Sequence, residues 1–410
     1  MAEFFNVLPP AEALARLFAH LNHCTATETI VTATATGRIT ANPIYAPHAL
    51  PTFRRSTMDG YALRAADSYG ASQQLPALLR VVGEVTMGQP AGAGPAVGEA
   101  ILIHTGGMLP AMADAVAQVE HTQPVAADEI ELFRPVAVGQ NVLQIGEDVQ
   151  AGTLLFPAGH LLRPQDIGGL LAVGLTQVAV AAQPRVTVLA TGDELQPPEA
   201  PAGPGQVRDI NSYTVGGQIQ QAGGLPTLVG IIPDDLQRIQ HAAAKALAES
   251  DMLVISAGSS VSGRDLTVQA IDSLGRPGVL LHGVATRPGK PTIVAVVAGK
   301  PVLGLPGNPV SAMIQFQMLG RPAIYRLQGM AQPPYTPHLL ARLTHNLPSE
   351  TGREDYIPAK LEQTEQGWLA RPLFGKSNLI YTLVNGDGLI KIPLNVGGVP
   401  AGEWVEVFLF

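Results

Sequence analysis

The sequence predicts a multidomain protein of α/β plus β class. Between residues 183 and 326, short apolar β-branched runs alternate with stretches of helical period, the pattern of βαβ units around a parallel-rich sheet. From 52 to 142, and again from 327 to 410, short strands are separated by Gly- and Pro-rich turns, which suits small barrels or sandwiches. The chain has 410 residues, 46% hydrophobic and only 14% charged, enough for large buried cores.

In chain order, residues 9–21 predict a helix, opened by Pro9 and Pro10 and carrying Ala13, Leu14, Leu17, Phe18 and Leu21 on one stripe. A Thr/Val alternation over 28–39 predicts β structure, followed by an extended connection marked by Pro43, Pro47 and Pro51. Strands are expected at 78–87, 99–104, 115–120 and 129–135. Pro164 opens a helix over 165–174 that Gly174 stops. Whether 1–46 and 143–182 form one domain around an insertion, 47–142, is left open by the pattern. In the α/β part, strands are expected at 185–190, 226–232, 252–255, 292–297 and 301–305. Helices are expected at 211–222, 234–249, 266–274 and 309–319, with Leu236, Ile239, Ala243 and Leu247 on one face of the second. Pro333, Pro334 and Pro337 stiffen the link to a C-terminal barrel with strands at 339–343, 356–362, 367–372, 388–393 and 404–408.

The net charge of −8 disfavours nucleic acid as the main partner. A single cysteine, Cys24, excludes an internal disulfide and a thiolate metal cluster. No signal peptide is evident at the start and no run of eighteen apolar residues occurs, so a cytoplasmic protein without a membrane span is expected.

Three small-residue segments carry the chemistry. The run Gly258-Ser259-Ser260-Val261-Ser262-Gly263-Arg264-Asp265 follows a strand, so its backbone amides and serine hydroxyls suit an oxyanion, and Asp265 suits a metal ion bridging to it. Taken alone it is as readily a tight strand-to-helix turn. Arg287-Pro288-Gly289-Lys290-Pro291 sets two cations around a rigid turn. Gly304-Leu305-Pro306-Gly307-Asn308-Pro309 leads into a helix whose first amides are expected to be free for an anion, against the commoner case of a simple Asn cap. Asp193 and Glu194 follow a strand and suit a divalent ion, against the commoner case of an acidic surface turn. The segment Ser56-Thr57-Met58-Asp59-Gly60-Tyr61-Ala62 lies far from these in sequence. No GxxxxGK[ST] loop, spaced histidine pair or Ser/His/Asp order stands out.

In this order, the segments at 56–64 (SxMDGYAxR-like), Thr191-Gly192-Asp193-Glu194-Leu195, Asn211-Ser212-Tyr213, 287–291 and 304–312 resemble the MoeA family of molybdopterin molybdenumtransferases, which includes the E domain of gephyrin. The resemblance runs over nearly the whole chain. It implies four parts: an elongated segment-swapped domain (1–46 with 143–182), an inserted β-rich domain (47–142), a MogA-like α/β domain (183–326) and a C-terminal β-barrel (327–410). It further implies a homodimer whose active site joins the α/β domain of one subunit to the Asp59 region of the other. The implied reaction takes adenylylated molybdopterin and molybdate to molybdenum cofactor and AMP with magnesium. A MogA-like adenylyltransferase and molybdoenzymes are implied as functional partners. Carried over position by position, Asp59, Asp148, Glu194, Asp235 (or its neighbour Asp234), Asp265 and Lys290 take catalytic roles. Glu194 and Asp265 also ligate magnesium. Ser259, Ser260, Ser262, Arg287, Pro306, Asn308, Pro309, Arg353 and Ser377 contact substrate.

Two departures from the family pattern matter. Its GGVSVGxxD loop is replaced by the 258–265 segment above, and the first lysine of KPGKP is Arg287, which keeps the charge but adds a planar fork. Tungstate as the inserted oxyanion, or an altered paralogue that binds or scaffolds without turnover, is the alternative these departures raise.

Overall fold

A computed structural model describes residues 7–257 and 261–410, the side chains of 261–265 excepted. The α/β domain is built on a six-stranded sheet, ordered Leu225–Ile232, Arg185–Thr191, Met252–Ala257, Lys300–Pro306, Ile293–Val297, Pro277–His282. The first four strands are parallel, and Ile293–Val297 runs antiparallel to both of its neighbours, Lys300–Pro306 and Pro277–His282. Strands buried on both faces need no polar alternation. Accordingly Val186, Val188, Met252 and Val254 face one core, and Leu189, Leu253 and Ile255 face the other.

Helices Asn211–Gln221 and Pro309–Gln315 cover the first face, and Leu236–Glu249 and Val261–Ser273 the second. The first face also takes the N-terminal helix Pro10–His20, whose Ala13 and Leu17 lie in the same core as Val294 and Phe316. Its apolar stripe has no partner within its own stretch of chain, so it buries against the α/β sheet.

Four sequence expectations change here. The strand Pro277–His282 was not anticipated, because Gly275, Pro277 and Gly278 read as turn residues. The segment 258–265 is not a loop to its end: helix begins at Val261. Gly263 opposes helix there most, at about 1 kcal/mol, and packing of Ile271 into the second core offsets it. The helix expected from 234 starts at Leu236, with the Asp235 carboxylate accepting from the Arg238 amide at 2.9 Å as its cap, a contact worth about 1 kcal/mol. The helix at 309 does not stop at 319 but continues through a π-turn, Phe316–Gly320, into Arg321–Leu327.

Upstream, the chain zips against itself. Thr27–Val31 pairs antiparallel with Gln177–Ala181, Ile44–Tyr45 with Leu154–Phe156, and Arg55–Ser56 with Val142–Leu143. Between those last two strands, residues 60–132 make a separate six-stranded sheet ordered Ala115–Gln118, Gly60–Leu63, Glu99–Ile103, Ala77–Glu84, Glu129–Leu132, Thr122–Ala126. At the C-terminus, Glu354–Thr364 pairs with both Gly367–Pro372 and Gly388–Ile392, and Trp404–Leu409 and His338–Leu343 complete the ring, so the barrel has no open seam. Among the described residues no helix is long and apolar enough to cross a membrane.

The helix Pro164–Ala172 is anchored by Asp166, only 4% exposed. Its carboxylate accepts from the Arg163 backbone amide (2.9 Å), Nε (3.0 Å) and Nη2 (2.9 Å), and lies 2.8 Å from His160 Nε2. The Arg163 hydrogen bonds, with His160, hold its pKa far below the usual carboxylate range against the opposing effect of burial. A depressed pKa stabilises the fold fully above the unfolded value of about 4 and loses that contribution as pH falls below it. Asp166→Asn is therefore expected to cost about 2–3 kcal/mol at pH 7, with the gap to the parent narrowing at pH 3. Urea unfolding at the two pH values checks this.

Candidate active site

A cleft of about 1070 Å3 opens between the α/β domain and the barrel. One wall is the loop after Thr286–Arg287. Its shape is held from below by Gln315, fully buried, whose Nε2 donates to Thr286 Oγ1 (2.8 Å) and to the Pro288 carbonyl (3.0 Å). Gly289 has a φ of +105°, and a Cβ there would lie 2.4 Å from the Gln315 side chain, so only glycine lets the loop settle on its support. The Thr292 hydroxyl donates to the Gly289 carbonyl at 2.7 Å and closes the turn. Arg287 and Lys290 emerge from it exposed, both lining the cleft.

The second wall joins Pro306, which ends a sheet strand, to the barrel loop at Ser377. Asn308 makes no side-chain cap. Its Nδ2 donates across the domain boundary to Ser377 Oγ at 3.0 Å, and the Val310 amide donates to the Ser377 carbonyl at 3.1 Å. The expectation that the amides of this helix stand free for an anion is thus corrected, since Pro309 has no N–H and the first amide that could serve, that of Val310, already has a carbonyl partner from the barrel.

The third wall is Arg353. Its Nε donates to Asp355 Oδ1 at 2.9 Å and its Nη1 meets Glu350 at 2.9 Å. Arg287 Nη1 lies 3.7 Å from the other Asp355 oxygen. With Lys376, the cleft is lined by four cations, Arg287, Lys290, Arg353 and Lys376, against two carboxylates, Glu350 and Asp355. In a chain of net charge −8 that is a concentrated anion-binding surface.

Further along the same sheet edge stands an acidic group. Register places Thr191, Ala257 and Pro306 side by side, so the loop after Thr191 starts about 10 Å from the cleft's Pro306 at the usual strand spacing. There Asp193 accepts from the Asp234 amide at 3.2 Å. Glu194 folds back over Gly192, where a Cβ would sit 2.6 Å from its Oε2. Burial raises the pKa of Asp234, and the charges of Asp193 and Glu194 raise it further; its Oδ1 is buried without a hydrogen-bond partner. Asn211, 6% exposed, ties this edge to the cleft: its Nδ2 donates to Ser256 Oγ and to the Gly307 carbonyl, each at 2.9 Å.

The cleft therefore gathers Arg287, Lys290, Pro306, Asn308, Arg353 and Ser377, with Pro309 next to its wall. Glu194 belongs to the acidic group, which has Asp234 in it, while Asp235 is engaged as the helix cap. Asp59 and Asp148 do not line the cleft. Asp59 is exposed on the inserted domain, where the Thr105 amide (2.7 Å) and hydroxyl (3.1 Å) hold its pKa below the usual carboxylate range, helped by His104. Asp148 is exposed beside the link into that domain, its amide bonded to the Leu50 carbonyl at 3.0 Å. Ser259 and Ser260 lie outside the described residues, as do the side chains of Ser262 and Asp265. Gln315 and Asp355 escaped the sequence reading, and Asn211 entered it only as part of a family motif, without its role as a support of the site. Gln315 had a visible signal, the one long polar side chain in the largely apolar helical run Val310 to Phe316. Asp355 had none, because its partners are set by tertiary pairing.

Models of the MoeA N-terminal region (domains I and II), a probable molybdopterin binding domain and the MoeA C-terminal region (domain IV) match residues 8–174, 187–326 and 340–410. The chain belongs to the MoeA family. Relatives named molybdopterin molybdenumtransferase include one from Haemophilus influenzae, 32% identical with 97% of each chain covered. Another, from Bacillus subtilis, is 30% identical over 100% of this chain and 95% of its own. The crystal structure of a molybdopterin biosynthesis MoeA protein from Pyrococcus horikoshii superposes with a TM-score of 0.85 at 31% identity, covering 99% of this chain and 100% of that one. In MoeA terms, the cationic cleft lies at the junction of the molybdopterin-binding region and the C-terminal region. Asp59 and Asp148 are contributed by the N-terminal region.

Proposed function

We propose that this chain acts in molybdenum cofactor biosynthesis as a molybdopterin molybdenumtransferase, inserting molybdate into adenylylated molybdopterin and releasing AMP. The observation that carries this is the cleft of four cations at the seam of two matched MoeA regions, in an acidic protein. Molybdate and the phosphates of the nucleotide are anions that such a cleft attracts and orients. Arg287, Lys290 and Arg353 hold them by charge, Ser377 by its hydroxyl, and Pro306, Asn308 and Pro309 shape the floor. Ser259, Ser260 and Ser262 are given further anion contacts by the family resemblance alone.

Magnesium fits that acidic group on the observation that Asp234 keeps a buried unpartnered oxygen, its pKa raised by burial and then by the neighbouring carboxylates. Among the described residues no three His, Cys, Asp or Glu side chains are grouped to hold a metal by themselves. Shared coordination with substrate phosphates, the usual habit of magnesium, matches such a site. Glu194, with Asp234 beside it, would hold the ion, and the family resemblance gives Asp265 the same role; when bound the ion would neutralise phosphoryl charge. Asp235 sets the position of this group through its helix cap. Asp59 and Asp148, too remote to line the cleft of their own chain, would complete the site of a second subunit in a homodimer.

The test is turnover by the purified chain given adenylylated molybdopterin, magnesium and molybdate. AMP and active cofactor are the expected products. If neither appears with molybdate or with tungstate, the transferase reading fails, and a competition between the two oxyanions settles which metal is inserted.

A further inference from the structure

We propose that Asp355 is a positioning residue for substrate-anion binding, setting the relative placement of Arg287 and Arg353 across the domain seam. This rests on reading the cleft as the site of the substrate anions. Asp355 is 1% exposed, so its carboxylate cannot be hydrated and must be answered by protein donors. Its two oxygens are divided between two domains: Oδ1 accepts from Arg353 Nε at 2.9 Å, and Oδ2 faces Arg287 Nη1 at 3.7 Å.

Backbone pairing makes this division possible. Thr286–Arg287, from the α/β domain, runs parallel to Glu354–Asp355 of the barrel, with Arg287 opposite Asp355 in register, and the Glu354 amide donates to the Ala285 carbonyl at 2.8 Å. The two contacts differ in kind. Arg353 spends one N–H on a hydrogen bond that fixes the plane of its guanidinium. Arg287, at 3.7 Å, is drawn by charge without giving up a donor, so its N–H groups stay available to a ligand. One buried carboxylate therefore aims two guanidinium groups that belong to different domains, and although it lines the cleft it offers almost no exposed surface, unlike the exposed Glu350.

The alternative, that Asp355 merely dilutes the positive charge of the cleft, predicts the opposite sign. Removing a negative charge beside two arginines would then tighten anion binding. If Asp355 positions, the same removal frees two long side chains to reorient and weakens it.

Asp355→Asn keeps shape and removes charge. Steady-state AMP release at varied molybdate is expected to show KM raised on the order of tenfold or more, with kcat within about threefold of the parent. Asp355→Glu, which keeps the charge but shifts it by one methylene, is expected to fall between the two. In an Arg353→Ala background the effect of Asp355→Asn should shrink, whereas a general loosening of the fold would add to it. An unchanged or lowered KM in Asp355→Asn overturns the proposal. Should that variant fail to fold, an unchanged KM in a folded Asp355→Glu overturns it instead. A parent protein inert with both molybdate and tungstate defeats the transferase reading and this inference together, an outcome distinct from an active enzyme indifferent to Asp355.

Discussion

Arg287→Ala is expected to lower kcat/KM for AMP release on the order of a hundredfold, the usual loss when a preorganised charge is taken from a developing anion. The protein should keep its thermal stability, because Arg287 is 62% exposed and its contact with Asp355 at 3.7 Å is an ion pair open to solvent on one side. Arg287→Lys restores the charge without the planar fork and should recover part of the loss. Parallel kinetics and thermal unfolding separate these effects. A kcat/KM within about threefold of the parent, in a protein that otherwise turns over, would remove this cleft from the chemistry.

Gly60→Ala is expected to cause the largest structural damage of any single methyl group added to the Asp59 segment. Gly60 opens the strand Gly60–Leu63 between two neighbours, opposite Ile103 on one side and Gln118 on the other. A Cβ there would lie 1.9 Å from the Ala117 carbonyl oxygen, a backbone atom fixed by the ladder. The sheet must part to admit it, at a cost of about 3 kcal/mol or more. Asp59, one residue away, would lose its hold on the Thr105 amide, so AMP release should fall together with stability. Thermal unfolding and limited proteolysis of the inserted domain check this, and a Tm equal to that of the parent would show that the strand can shift freely.

Gly60 also shows how far the sequence alone could be read. Asp59-Gly60 has the look of a turn, yet Gly60 is a strand residue chosen for a close backbone approach, which becomes visible only once Ala117 is known to lie opposite. The helices and parallel strands of the α/β domain were legible because period and apolar runs are local properties. So was the Gly-Asn-Pro run of the cleft, which follows the end of a parallel strand where such a fold presents ligands. The division of labour between Asp234 and Asp235 was not legible, since it depends on where the helix starts: one residue earlier and Asp234 would be the cap. Nor was the docking of Pro10–His20 on a sheet made of residues far downstream. Gln315, Asn211 and Asp355 belong to the same class. Each is a polar side chain whose purpose is another segment's position.

The zipped arrangement of the N-terminal half has a consequence for synthesis. Thr27–Val31 has no strand to pair with until Gln177–Ala181 has been translated, and Pro10–His20 has no sheet to rest on until residues beyond 290 exist. The inserted sheet, by contrast, holds all of its strands between Gly60 and Leu132. On the ribosome the middle of this half can therefore mature first, while the segments that emerged before it wait unpartnered. The earliest residues of the chain are among the last to find their places, and they hold apolar faces exposed for most of the time the protein takes to be made.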